Sequence, residues 1–129
     1  VLAMAAARTS SVNVIASDID PIAVEVANAN IKANNLCDHV KCFESIGFNA
    51  SELLEAAPFD LIFANILKGP LIDLAPAMAK HLNTGGIVVL SGILIEQAEE
   101  ITAIYKTHGI TLLEREDIGE WTALTLLRG

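Results

Sequence analysis

Basic residues are scarce in this sequence, with 8 Lys and Arg against 16 Asp and Glu in 129 residues. The formal net charge at pH 7 is −8. Because a protein that binds a phosphate backbone needs clustered Lys and Arg, this composition argues against direct nucleic-acid binding. It favours a cationic partner, which is either a basic protein or a positively charged cofactor.

Cysteine is also rare, and Cys37 and Cys42 are the only two. With no second pair and no nearby histidine cluster, these thiols argue against a zinc site, so no metal is predicted. Reduced thiols are the default in a cytosol, and a cytoplasmic location is expected. No stretch approaches the roughly 18 consecutive apolar residues of a membrane span, so no membrane partner is predicted.

Several common catalytic motifs are missing. The sequence contains no Gly-x-Ser-x-Gly, no Walker sequence and no Ser-His-Asp arrangement, which argues against the usual serine hydrolases and P-loop enzymes. What the chain does have is a hydrophobic content of 53%, as a sheet covered on both faces requires. Its length suits a single domain that is large enough to bury a hydrophobic core.

Apolar patterning alternates strands with helices along the whole chain. We predict strands at Val12–Ser17, His39–Phe43, Phe59–Ala64, Ile87–Leu90, Ile110–Glu116 and Glu120–Leu127. We predict helices at Asp20–Asn34 and Ser51–Ala56, along the stripe from Leu71 to Leu82, and from Leu94 to Tyr105. We expect the third helix to begin with a short turn, to have Pro76 near the start of its main part, and to end at Gly85-Gly86. We expect a tight turn at Asp117-Ile118-Gly119 between the last two strands. The pattern indicates an α/β doubly wound sheet with a closing hairpin.

Asp18 ends the first apolar run and is the most informative residue. A carboxylate at the carboxyl end of a buried parallel strand can accept hydrogen bonds from both hydroxyls of a ribose. The simpler alternative is that Asp18 caps the next helix. Asp20 directly precedes Pro21, however, and is itself suited to be that N-cap, which would leave Asp18 available for another role.

Asn65 ends a second buried strand, Phe59–Ala64, and its amide oxygen can accept from a donor near a cofactor. The alternative is an asparagine that only forms a turn. Together with Asp18 and the terminal hairpin, Asn65 resembles the pattern of class I S-adenosylmethionine-dependent methyltransferases. More narrowly, the chain resembles the PrmA-type ribosomal protein methyltransferases, which modify large-subunit protein eleven. The matching stretches are Ser17–Pro21, Ala64–Leu67, Pro70–Pro76, Gly85-Gly86, Leu90–Leu94 and Glu120-Trp121.

The resemblance implies a Rossmann-like, mostly parallel sheet and a role for each site residue. Methyl groups of S-adenosylmethionine would pass to lysine side chains and the N-terminal amine of a basic, ribosomal protein. Asn65, the catalytic and cofactor-proximal residue, would orient the incoming nitrogen. Asp18 would hold the ribose hydroxyls, Ile19 would lie on the adenine face, and Glu44 or Ser45 would approach the adenine edge. The substrate channel would be formed by Ile66, Leu67, Ser91 and Gly92.

One departure from the family pattern concerns the beginning of the chain. The family's first strand, its glycine-rich turn and its separate N-terminal substrate domain are not found, and Val1–Ala7 resembles the helix after that turn. Residues 1–129 are therefore interpreted as the C-terminal part of one catalytic domain. Without the first strand, we expect self-association, direct pairing of the two strands beside the gap, or an incomplete record of a longer chain. The helix over residues 1–7 is expected to be the least anchored element.

Two other functions remain open at this point. One is an inactive methyltransferase-like fragment or an assembly module. The other is an NAD-binding Rossmann oxidoreductase with Asp18 on the ribose of NAD. The Asn65-Ile66-Leu67 sequence and the terminal hairpin favour the methyltransferase.

Overall fold

The computed structural model of the protein describes residues 4, 8 and 14–129. Its strands are β1 (Val14–Asp18), β2 (Val40–Glu44), β3 (Phe59–Asn65), β4 (Leu82–Leu94), β5 (Ile110–Ile118) and β6 (Trp121–Arg128). Its α-helices are α1 (Pro21–Ala33), α2 (Ser51–Ala56), α3 (Lys68–His81) and α4 (Ala98–Thr107), and a 3₁₀ turn spans Ile95–Gln97. The predicted helix over residues 1–7 lies, except for Met4, outside the described residues.

The described strands form two sheets, one in each of two compact units. In the first unit, which ends at Glu55, β1 pairs with β2 in parallel. In the second unit, Ala56–Gly129, the strand order is β3-β4-β6-β5. There, β3 and β4 are parallel, and the other two pairs are antiparallel. The α/β class and the closing hairpin are confirmed.

Local sequence signals set both ends of α1. At its start, the Asp20 side chain accepts a hydrogen bond from Ile22 N (2.9 Å), as predicted for the N-cap, and Pro21 occupies the first helical position. At its end, Asn35 adopts a positive φ of 58°. Leu36 N donates to Ile31 O at 3.0 Å, the bond of a Schellman C-cap.

The core of the first unit consists of Ile31, Leu36 and Val40, against which Cys42 packs. Cys42 therefore packs as a small apolar group. Burial raises the pKa of the Cys42 thiol, and the charge of Asp18 adds to this effect. The thiol is protonated at neutral pH.

Helix α3 is continuous, so the prediction of a short turn followed by a main helix is wrong. Pro76 lies inside the helix and removes only one backbone hydrogen bond, the one to the carbonyl of Ile72. The helix tolerates this loss because one face is fully buried, through Leu71, Ala75 and Met78.

Strand β4 is longer than predicted, and it includes the glycines that were expected to end the helix. Leu82 pairs with Phe59, but the next pair is Ile87 with Leu61, so the residues between them bulge out of register. Gly85 permits this bulge with a φ of +83°, and Asn83 Nδ2 donates to Asp60 Oδ1 (2.8 Å) across it.

The hairpin turn also differs from the prediction. Ile118 still belongs to β5 and pairs directly with Trp121, so the turn consists of two residues, Gly119 and Glu120. Gly119 has a φ of +61°, and glycine is favoured at this first position of a tight hairpin turn.

The hydroxyl of Tyr105 connects α4 to α3. Tyr105 is fully buried, and its hydroxyl donates to Leu71 O at 2.7 Å. We expect Tyr105→Phe to lower the free energy of unfolding by about 1–2 kcal/mol, measured by urea unfolding. The matched control is Thr107→Val, because the exposed Thr107 hydroxyl bonds only within its own helix, to Ile104 O. An equal loss of unfolding free energy in the two variants would contradict the assignment of the Tyr105 hydroxyl bond as a stabilising contact between α4 and α3.

The same tyrosine makes a pH-dependent contribution. Burial raises the pKa of Tyr105 well above its ordinary value of about 10. In the range above about 10 the unfolded chain loses this proton while the folded chain keeps it, so stability declines as pH rises. The chain holds only one tyrosine, so the difference between wild type and Tyr105→Phe isolates this effect.

Candidate functional site

In the first unit, two acidic side chains meet at the ends of neighbouring parallel strands. Asp18 ends β1 and lies directly opposite Glu44, which ends β2. Both side chains are exposed. Ser45 N extends the pairing by one hydrogen bond, to Asp18 O at 2.9 Å. Asp18, Ile19, Glu44 and Ser45, hereafter the Asp18 group, are thus brought together by the parallel register.

The Asp18 carboxylate is already engaged by one backbone hydrogen bond. Its Oδ1 accepts a hydrogen bond from Asp20 N at 3.0 Å, which fixes the turn between β1 and α1. The capping of Ile22 N is nevertheless performed by Asp20. The remaining acceptor directions of the exposed Asp18 carboxylate face solvent, where hydroxyl donors can reach them. Ile19, the next residue, is 63% exposed beside it.

A surface depression of about 330 Å³ follows β2. It is lined by Glu44, Ser45, Ile46, Asn49 and Ala50. The Ser45 side chain is buried, and its hydroxyl donates to Gly47 O (2.9 Å) and accepts from Ala50 N (3.2 Å). This hydroxyl therefore shapes the loop, while the side chains of Glu44 and Ile46 are exposed at the depression.

Ile46 and Asn49 were not singled out from the sequence. The available signal is the sequence Ser45-Ile46-Gly47 directly after a strand, in which Gly47 has a φ of +57°. A glycine in this conformation reverses the chain. The loop then leaves Ile46 64% exposed.

In the second unit, the ends of β3 and β4 lie side by side. Asn65 ends β3, is exposed, and lies opposite Ser91 of β4. The next residue in β4, Gly92, has a φ of +77° and lies against the Asn65 carboxamide. Ile66 is half-buried, and Leu67, which precedes α3, is 74% exposed. Asn65, Ile66, Leu67, Ser91 and Gly92 are hereafter the Asn65 group.

Each group suits a different chemical task. The Asp18 group offers carboxylate acceptors next to exposed apolar surface, which fits a ligand with hydroxyl donors and an apolar ring. The Asn65 group offers an uncharged acceptor beside the exposed apolar Leu67, which fits an incoming hydrogen-bond donor such as an amine.

A second depression, of about 460 Å³, lies where β4 leaves the sheet beside the hairpin turn. Its lining residues are Leu94, Ile95, Glu96, Gly119 and Glu120. Trp121 pairs with Ile118 across the hairpin but remains 54% exposed. In the part of the chain that the structure describes, no helix is long and apolar enough to cross a membrane.

Comparison with known proteins gives consistent matches. Residues 1–128 match the family model described as "Ribosomal protein L11 methyltransferase (PrmA)". A protein of Chelativorans sp. named ribosomal protein L11 methyltransferase is 45% identical over 131 residues, covering 99% of this chain and 44% of its own length. A Brucella suis protein of the same name is 44% identical over 129 residues, covering 98% of this chain and 44% of its own length. The chain thus spans less than half the length of these curated relatives.

Solved structures also match. The crystal structure of a ribosomal protein L11 methylase from Lactobacillus delbrueckii subsp. bulgaricus superposes with a TM-score of 0.89 and 29% identity. The match covers 98% of this chain and 63% of that one. A methyltransferase structure from Pyrococcus furiosus, 23% identical, shares the fold with a TM-score of 0.82 over 99% of this chain and 68% of its own. The Rossmann-like fold of class I methyltransferases is confirmed.

Proposed function

This chain belongs to the ribosomal protein L11 methyltransferase (PrmA) family, and we propose that the protein methylates amino groups of a basic ribosomal protein with S-adenosylmethionine. The acceptors are lysine side chains and the N-terminal amine. The observation that carries the proposal is the exposed Asp18 carboxylate, which ends β1 opposite Glu44. A ribosomal substrate also implies a cytoplasmic protein.

The Asp18 group fits the nucleoside part of the cofactor. Asp18 uses one oxygen for the turn and retains acceptor capacity for the two ribose hydroxyls. The exposed side chain of Ile19 offers an apolar surface to the adenine face. Glu44 accepts from the adenine amino group at the rim of the depression. Ser45 contributes to the adenine edge through its backbone, because its hydroxyl is engaged within the loop.

The Asn65 group fits the amine. When bound, S-adenosylmethionine would supply a methyl group on a sulfonium; a neutral nitrogen would bond to this methyl carbon in line as the carbon–sulfur bond breaks and S-adenosylhomocysteine leaves. Asn65 accepts an N–H of the amine through its side-chain or backbone oxygen and so directs the nitrogen lone pair. Leu67 and Ile66 line one side of the substrate channel, and Ser91 and Gly92 line the other.

The Asn65 carboxamide does not act as a base. A carboxamide takes up no proton at neutral pH, so the ammonium of the substrate loses its proton to water or to a local acceptor before the transfer. Catalysis by Asn65 is therefore positional. A misplacement of about 1 Å can cost roughly 10²-fold in rate, so positioning is a sufficient role.

The charge of the chain fits the proposed partner. With a net charge of −8, it attracts a basic protein and repels a nucleic-acid backbone. Ionic strength should accordingly weaken binding of the protein substrate more than binding of the cofactor.

The test uses the intact protein, S-adenosylmethionine labelled in its methyl group and a basic ribosomal protein as acceptor. We expect label in the acceptor and none after its amines have been acetylated. Calorimetry should show that S-adenosylhomocysteine binds and that NAD does not compete. Competition by NAD would favour the oxidoreductase, and absence of both binding and transfer would favour the inactive fragment.

A further inference from the structure

Gly92 differs from the other glycines of positive φ in the second unit. At Gly85, Gly109 and Gly119, an added Cβ would have nothing within 4 Å. At Gly92, an added Cβ would lie 2.5 Å from Asn65 Oδ1 and 3.4 Å from Ile66 O. Backbone conformation accounts for the first three glycines, whereas at Gly92 a side chain would also compete with the Asn65 carboxamide for the same space.

Hydrogen bonds between described residues do not account for the orientation of the Asn65 carboxamide. Among the described residues, the Asn65 side chain has no hydrogen-bond partner, and it is exposed. Yet an exposed, unbonded asparagine would sample several rotamers. The Asn65 backbone is fixed by pairing with Ser91, which directs the side chain across to the end of β4.

We propose that Gly92 is a positioning residue, whose missing side chain leaves the space that the Asn65 carboxamide occupies in its reactive orientation. Its effect on turnover rests on the proposed function. A carbon–oxygen contact is normally no closer than about 3.3 Å, so a Cβ at 2.5 Å forces the carboxamide to rotate or the strand end to move. This role differs from lining the channel, because it acts through Asn65.

The chain offers a matched control for backbone strain. Gly109 has a φ of +79°, almost the value of Gly92, but its added Cβ would meet open space. Gly109→Ala therefore introduces the strain of a left-handed alanine without the clash. Because Asn65 Oδ1 is the free end of an exposed side chain and can rotate away, we expect Gly92→Ala to lower the melting temperature of the intact protein about as much as Gly109→Ala does.

The melting temperatures of the two alanine variants should match in the Asn65→Ala background as well. A much larger loss in Gly92→Ala than in Gly109→Ala, in either background, would mean that the end of β4 moves instead of the Asn65 carboxamide, and it would overturn the proposal.

Turnover provides a second measure. Gly92→Ala should lower kcat about tenfold or more while the affinity for S-adenosylmethionine changes less than twofold, and Gly109→Ala should change neither. In the Asn65→Ala background, Gly92→Ala should lower kcat no further. A full additional loss there would show that Gly92 acts independently of Asn65 and would overturn the proposal.

The side-chain amide signal of Asn65 tests the proposal without any catalysis. In ¹⁵N-labelled protein this signal is identified by its loss in Asn65→Ala. It should shift in Gly92→Ala and stay in place in Gly109→Ala, and an unchanged signal in Gly92→Ala would overturn the proposal. If the unsubstituted protein neither binds S-adenosylmethionine nor transfers methyl groups, the proposed function fails, and the melting temperatures and the amide signal still decide the role of Gly92.

Discussion

Replacement of Asn65 with alanine should lower turnover by roughly 10²-fold or more, because the incoming nitrogen loses the group that directs its lone pair. The affinity for S-adenosylmethionine should change little, since the nucleoside is assigned to the Asp18 group. The loss should appear in kcat, as expected for an interaction that matters most in the transition state. Single-turnover kinetics with a saturating protein substrate and calorimetry with S-adenosylmethionine measure the two quantities.

Asn83→Ala is the matched control for this variant. Asn83 lies in the same unit and donates to Asp60 across the bulge of β4, so its loss should reduce stability by about 1 kcal/mol and leave turnover nearly unchanged. Turnover within threefold of wild type in Asn65→Ala would reduce Asn65 to a turn residue. The alternative interpretation from the sequence would then stand.

Asp18→Ala should weaken S-adenosylmethionine binding by roughly 30-fold or more. Two hydrogen bonds to a charged acceptor contribute about 2–4 kcal/mol together, and each 1.4 kcal/mol is tenfold in affinity. Asp18→Asn should lose less, because its side-chain oxygen can still accept from Asp20 N and from one hydroxyl. Calorimetry on the intact protein provides the affinities.

The control for Asp18 is the neighbouring Asp20. Asp20→Ala removes the N-cap of α1 and should reduce stability by about 1 kcal/mol, with cofactor affinity within twofold of wild type. If Asp18→Ala and Asp20→Ala weakened cofactor binding equally, both acids would act by stabilising the start of α1. Asp18 would then make no direct contact with the cofactor. Unchanged affinity in Asp18→Ala would remove it from the site.

Local chemistry was sufficient to predict α1 and the ends of the two site strands. Asp20-Pro21 starts α1 and Asn34-Asn35 stops it through bonds between residues close in sequence, so the sequence carries this information. Asp18 and Asn65 end runs of apolar residues, and the strands end with them. The ribose role of Asp18 followed from its position at a strand end, the role of Asn65 followed from the resemblance to a family, and both remain predictions.

Other features depended on pairing between distant residues, which no local pattern encodes. Leu82 entered β4 because it pairs with Phe59, although Gly85-Gly86 resembles a helix stop. The Ser45 hydroxyl forms a hydrogen bond within its own loop. The register of β3 and β4 places Gly92 against Asn65. Local propensity specifies which residues can begin, end or turn an element. Which side chains meet is set by register and packing, because those contacts join residues that are far apart in the chain.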